Sequence, residues 1–208
     1  MLFKLRGWVD EAAADFYADA TDLYGALTDA QLEVVKQLAD NWKKKDRASS
    51  RGVPIPIALM PLITAEAGTI NSGLGTDTLT DEPIQVVSVN WQLDGALVAT
   101  SPWAVELSQS GNSLRLLQNT LLSTGTYYWF DEGNLYVRPL STDNTAAYSI
   151  VFIDTPKDIT SAVEPETGVV AHDAIVERAA WILLKDRETQ QAQVHLQLYA
   201  QLLEGLKA

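Results

Sequence analysis

The stretch from Val169 to Leu206 constrains the fold of this chain most, because it has no proline and keeps helical periodicity almost throughout. His172 to Leu184 contains neither proline nor glycine and is apolar nearly all round past Arg178, the pattern of a helix buried on most sides. Asp173 suits its N-cap or first turn, where the helix dipole is positive. After a polar interlude from Lys185 to Gln191, a second stripe of Ala192, Leu196, Tyr199, Leu203 and Leu206 follows at steps of four and three. The terminus is therefore one long helix, or two that bend near Asp186–Thr189. Its first half anchors a core. Its second half, with Leu196, Tyr199, Leu203 and Leu206 at the very end of the chain, is expected to offer an exposed seam to a partner. On that reading, removing everything after Gln193 leaves a folded chain.

Two helices are expected at the other end, within 1–51. Val9, Ala12, Ala13, Phe16 and Ala20 recur at helical spacing, and Gly25 is expected to end that helix. Thr28-Asp29-Ala30-Gln31 then reads as a capping box, with Thr28 at N-cap and Leu27 and Leu32 placed as a staple. Leu32, Val35, Leu38, Ala39 and Trp42 form the expected buried stripe. The basic run of Lys43, Lys44, Lys45 and Arg47 suits the helix's negative end. It is also the one sequence feature suited to DNA or to an acidic neighbour.

Residues 52–82 read as an extended arm or linker, since Pro54 and Pro56 exclude helix. Over 83–160 the period becomes two. Val87, Val89, Trp91 and Leu93 alternate with polar residues, Asp94-Gly95 makes a turn, and Trp103, Val105 and Leu107 alternate before Ser110-Gly111-Asn112. Tyr127 to Phe130 and Leu135 to Val137 form an aromatic hairpin around a four-residue loop, with Phe130 on one face and Trp129 on the other, where it is a candidate subunit contact. Tyr148 to Ile153 adds a strand. The expected fold class is α+β: a helical body, completed by a helix or helix pair in 161–208, with an inserted antiparallel β sandwich or small barrel.

Charge narrows the partners. The net charge is −12; residues 1–51 hold 9 acids and 8 bases, 169–208 hold 5 and 4, and 52–168 hold 13 and 3. A middle segment of −10 opposes gripping a phosphate backbone, which needs Lys or Arg to displace counterions. No apolar run approaches membrane-spanning length, so no membrane partner is expected, and the first residues lack the apolar core of a signal peptide.

Catalytic chemistry finds no constellation. The chain has no cysteine and two histidines, His172 and His195, which can meet only if the terminal helix folds back. The acid pairs Asp81/Glu82, Asp131/Glu132 and Glu164/Glu166 fall in turn-like stretches. Calcium at Asp131–Asn134 needs further ligands that the sequence does not supply. No enzyme activity, metal or cofactor is expected.

The order of parts resembles the head-to-tail adaptor (connector) proteins of tailed bacteriophages. The likeness is carried by Thr28-Asp29-Ala30-Gln31, the hairpin from Tyr128 to Pro139, Asp158-Ile159-Thr160, and the run from His172 to Ala180. The Pro54–Pro61 segment departs from it by its length. The resemblance implies a structural protein of the virion neck, made in the host cytoplasm. Copies form a ring of twelve under the portal protein, the C-terminal helices reach the portal, and the β part faces the next neck or tail protein. Genome DNA passes non-specifically through the lumen. The competing reading is a carbohydrate-binding or glycan-hydrolysing virion (tail) protein, whose aromatic hairpin holds sugar.

Overall fold

Leu27, Ala30, Gln31, Val34, Val35, Leu38, Ala39 and Trp42 lie at steps of three and four, and one helix can bury all of them on one side. In a computed structural model they do so along α2, Tyr24–Ala48, which follows a π-helical turn at Asp19–Leu23. The structure describes residues 1–8, 19–49, 52–70, 76–79, 83–93, 105–106, 127–131, 134–138 and 146–207. Most of the first helix expected from Val9, Ala12, Ala13 and Phe16 lies outside them, as do Trp103, Leu107 and the turns at Asp94-Gly95 and Ser110-Gly111-Asn112. A short α1 spans Leu2–Trp8, and its Leu5 is fully buried.

Two expectations about α2 are corrected. Gly25 does not break the chain but sits inside the helix, where its cost of about 1 kcal/mol relative to alanine is outweighed by burial of Leu23, Ala26 and Leu27. Thr28 is likewise no N-cap, because helix has already begun at Tyr24. The Thr28-x-x-Gln31 pair instead serves another segment. Thr28 Oγ1 accepts a hydrogen bond from Ile159 N at 2.9 Å. The fully buried Gln31 amide donates to Lys157 O at 3.1 Å and accepts from Glu166 N at 3.2 Å. Glu166 in turn accepts from Lys157 N at 2.8 Å, which closes the segment on itself.

The chain divides into two compact units, Met1–Ile63 with Thr155–Ala208, and Thr64–Asp154. In the first, a 3-10 helix at Ile57–Leu62 packs on a second one at Val169–Ala171. Gly168 N donates to Ala58 O at 2.9 Å, and a Cβ on Gly168 would stand 3.0 Å from Ile57 O and 3.1 Å from Ala58 Cα, so any larger residue would push this backbone apart by a few tenths of an ångström. Next come α3, His172–Leu184, and α4, Thr189–Leu206. The terminal stretch is thus two helices, broken at Lys185–Glu188. α3 packs against α1, α2 and α4, and buries Ala174, Ile175, Val176, Ala179, Ala180 and Leu184.

The second unit holds seven strands among its described residues: β1 Ile63–Ile70, β2 Thr76–Thr78, β3 Pro83–Leu93, β4 Val105–Glu106, β5 Tyr127–Asp131, β6 Asn134–Arg138 and β7 Ala146–Asp154. The arm expected over 52–82 therefore gives way to sheet at Ile63. The strands form two open sheets, β1-β7-β3 and β2-β6-β5-β4, and not a closed barrel. β3 and β7 are antiparallel, with Val86 opposite Phe152 and Ser88 opposite Val151, so Val87 is an extra residue. This bulge corrects the expected alternation: Val86 and Val89 are buried and Val87 only half-buried. In the aromatic hairpin Asp131 pairs with Asn134, which leaves two residues between the paired ends instead of the expected four-residue loop.

Replacing Gln31 with leucine keeps the volume but leaves Lys157 O and Glu166 N without their partner. At about 1–3 kcal/mol for each partly buried group, urea denaturation is expected to show a loss of about 2–4 kcal/mol.

Candidate functional site

The helical unit presents two faces on which a second molecule can act, and both depend on how α3 and α4 are clasped. The four residues between these helices let the chain fold back, so Glu177 meets His195 and Arg178 meets Tyr199. His195 Nδ1 lies 2.7 Å from Glu177 Oε2, with both side chains largely buried. Arg178 donates to Glu33 Oε2 of α2 at 2.7 Å, and its guanidinium lies 4.0 Å from the Trp181 ring centre and 5.4 Å from that of Tyr199. A flat, delocalised guanidinium stacks on aromatic faces in this way where an ammonium would not. This cluster ties α2, α3 and α4 together.

The terminal helix does fold back, but His195 meets a carboxylate and not His172. The described residues contain no group of three or more His, Cys, Asp or Glu side chains placed to hold a metal. Of the acid pairs, Glu166 is used on backbone and on Lys157 Nζ at 3.1 Å. Asp131 and Asn134 end the hairpin ladder. Side chains of the hairpin, Trp129 among them, lie outside the described residues, as do Asp81, Glu82 and Glu132.

The expected partner seam on α4 is mostly covered by the chain itself. Tyr199 and Leu203 are each 4% exposed, Ala192 is buried, and Leu196 and Leu206 are half-buried. The apolar side chains that α4 does leave exposed are Val194, Leu198 and Leu202, at 53%, 40% and 37%. They recur every four residues, so they share another face. From Thr189 to Leu203 the helix carries no Asp, Glu, Lys or Arg, and glutamines fill its remaining surface. Depletion of charge around exposed apolar residues is characteristic of the centres of protein interfaces, and it sets this face apart from an ordinary solvated helix. The heptad-like signal found the inner face because it is the longer one; the outer face is legible only as an absence of charge.

The second face is a groove of about 500 Å³ between the end of α2, the arm from Val53 to Ala58, and the end of α4. Its arm is pinned: Trp42 Nε1 donates to Val53 O at 2.9 Å, Val53 N donates to Asp46 Oδ1 at 3.0 Å, and Gly52 makes the turn at φ +74°. The basic run stands at its rim. Lys45 Nζ donates to the Lys207 backbone carbonyl, Lys43 Nζ lies 5.9 Å from the Trp42 ring centre, and Lys44 and Arg47 are exposed.

A family model described as SU10 adaptor protein matches residues 2–208 of the chain. No curated protein matches it.

Tyr199 generates a measurable signature. Its hydroxyl is buried with no hydrogen-bond partner among the described residues, and its pKa is pushed up from 10.0 to about 12, chiefly by burial and further by the Glu33 charge, against the opposing pull of Arg178. The fold therefore favours the neutral phenol. Its contribution is fully present below about pH 10 and is lost as pH rises towards 12. Tyr199→Phe is expected to leave stability at pH 7 unchanged or higher by up to about 1 kcal/mol, and to flatten the decline above pH 10 in thermal melts.

Proposed function

We propose that this chain, which belongs to the SU10 adaptor family of phage head-to-tail adaptors, is a structural virion protein that forms a ring under the portal and joins it to the neck or tail. Twelve copies surround a lumen through which genome DNA passes. The helical units stand side by side, the α3–α4 pair reaches the portal, and the β unit, its sheets stacked as a sandwich, faces the next component. The protein has no catalytic activity of its own. The net charge of −12 supports a lumen that DNA passes without adhering, because too few cations are present to displace phosphate counterions. Lys43, Lys44, Lys45 and Arg47 are the exception and face a neighbour or the DNA. Trp129 remains a proposed subunit contact, its backbone opposite Tyr136 in the hairpin.

The observation that carries this reading is the uncharged outer face of α4. Val194, Leu198 and Leu202 make the portal contact, with half-buried Leu196 and Leu206 at its edges and Tyr199 and Leu203 supporting it from beneath. On this reading the residues of α4 that touch the portal are those on its outer side.

Purified chain mixed with portal and imaged is expected to show rings seated on portal. V194Q/L198Q/L202Q changes only exposed positions, so stability should stay within about 1 kcal/mol while portal binding falls by roughly tenfold or more. Truncation after Gln193 is expected to fail differently. It removes His195, Tyr199 and Leu203 and leaves Glu177 buried without its partner, at a cost of about 3–5 kcal/mol. A triple variant that seats on portal as well as the unaltered chain removes α4 from the contact.

A further inference from the structure

The groove beside Trp42 is not used by this reading, and it has three features that belong together. First, it is preformed, because Val53 is held through both its backbone groups by Trp42 and Asp46. Second, its apolar lining runs out onto the surface. Ile57 and Val170 line it and are 75% and 56% exposed, and Val169 and Met60, on the same two packed 3-10 turns, are 79% and 55% exposed. From Val53 to Ala65 there is no charged residue. Third, its rim is rich in cations, with Lys45 and the Glu204-paired Lys207 in the lining and Lys44 and Arg47 exposed on the last turns of α2.

A solvated helix end explains the cations, since they suit the negative end of α2, but it leaves four exposed apolar side chains without a purpose. DNA would engage the cations and not the apolar patch, because phosphate contacts are made by cations and hydrogen-bond donors. A protein surface that is apolar and flanked by carboxylates uses both. The charge of such a partner has a counterpart within this same sequence. Residues 64–154 contain ten Asp and Glu against only Arg115 and Arg138, whereas the run from Lys43 to Arg47 holds four bases and one acid.

We infer that the Trp42–Pro54–Ile57 groove seats the acidic β unit of a second copy of the chain. This rests on the ring reading and names the surfaces by which neighbouring copies meet. The contact is heterologous, with the basic groove of one copy receiving the acidic unit of the next, and contacts of this kind generate rings when the rotation closes. The apolar patch supplies the desolvated centre, while the cations set orientation and make assembly weaken with salt.

The absence of cysteine makes the test direct. The I57C variant carries a maleimide photo-crosslinker and is mixed with 15N-labelled unaltered chain in the presence of purified portal; assembly is followed by imaging and crosslinks by mass spectrometry. Crosslinks from position 57 into 15N peptides of residues 64–154 are expected. Their yield should fall roughly tenfold when K44E and R47E are added to the I57C chain, with an unchanged melting temperature. Copies that assemble but crosslink from position 57 only within one chain or to portal overturn this inference and leave the ring standing. So does duplex DNA that protects position 57 while copy-to-copy crosslinks are lacking. A chain that stays monomeric with and without portal overturns the ring reading, and this inference with it.

Discussion

The helical unit depends on a buried amide. Its two sequence segments, Met1–Ile63 and Thr155–Ala208, are separated by the whole β unit, so every contact between them closes a long loop. Apolar packing of α2 on α3 supplies most of the stabilisation but little direction, because hydrophobic burial is insensitive to register. Gln31 supplies the direction. It fixes Lys157 and Glu166 at one turn of α2, and Thr28, one turn earlier, fixes Ile159. The returning chain can then lie on α2 in one alignment only, and α3 begins where Gly168 meets Ala58.

A second set of polar contacts does the same for the terminal hairpin. Burying Glu177 with His195, and Arg178 with Glu33, costs desolvation that the pairing only offsets, so the cluster adds little net stability over an apolar one. What it adds is discrimination. A slip of α4 by one turn against α3 would leave Glu177 buried and unpaired. Stacking of Arg178 between Trp181 and Tyr199 further ties that alignment to α2 through Glu33.

The sequence made the helices legible where one face was apolar over several turns. The stripe of α2 and the buried character of α3 are readable as periodicity, whereas the polar interlude near Asp186–Thr189 fits one long helix as well as two. The same rules failed where one residue pattern serves two purposes. Thr-x-x-Gln fits a capping box, and nothing local distinguishes that from a pair whose partners lie about 130 residues away. The Val87 bulge was hidden because an inserted residue leaves composition unchanged while inverting the alternation. The resemblance to phage adaptors agrees with the family match; it is carried by the order of elements together with several stretches, above all His172 to Ala180. Assigning interaction residues was harder. Periodicity reports how apolar a face is, and the face with the cleaner stripe on α4 is the one the chain covers itself.

That last point has a structural consequence. α4 is apolar on two sides, and it covers one of them with its own chain. The inner side, through Tyr199 and Leu203, makes the fold; the outer side, through Val194, Leu198 and Leu202, stays exposed. Folding and the docking proposed for α4 therefore share a helix but not its residues. Because the inner contacts are complete in the single chain, a partner that docks there would meet α4 already shaped and would not bear the cost of ordering a terminal segment.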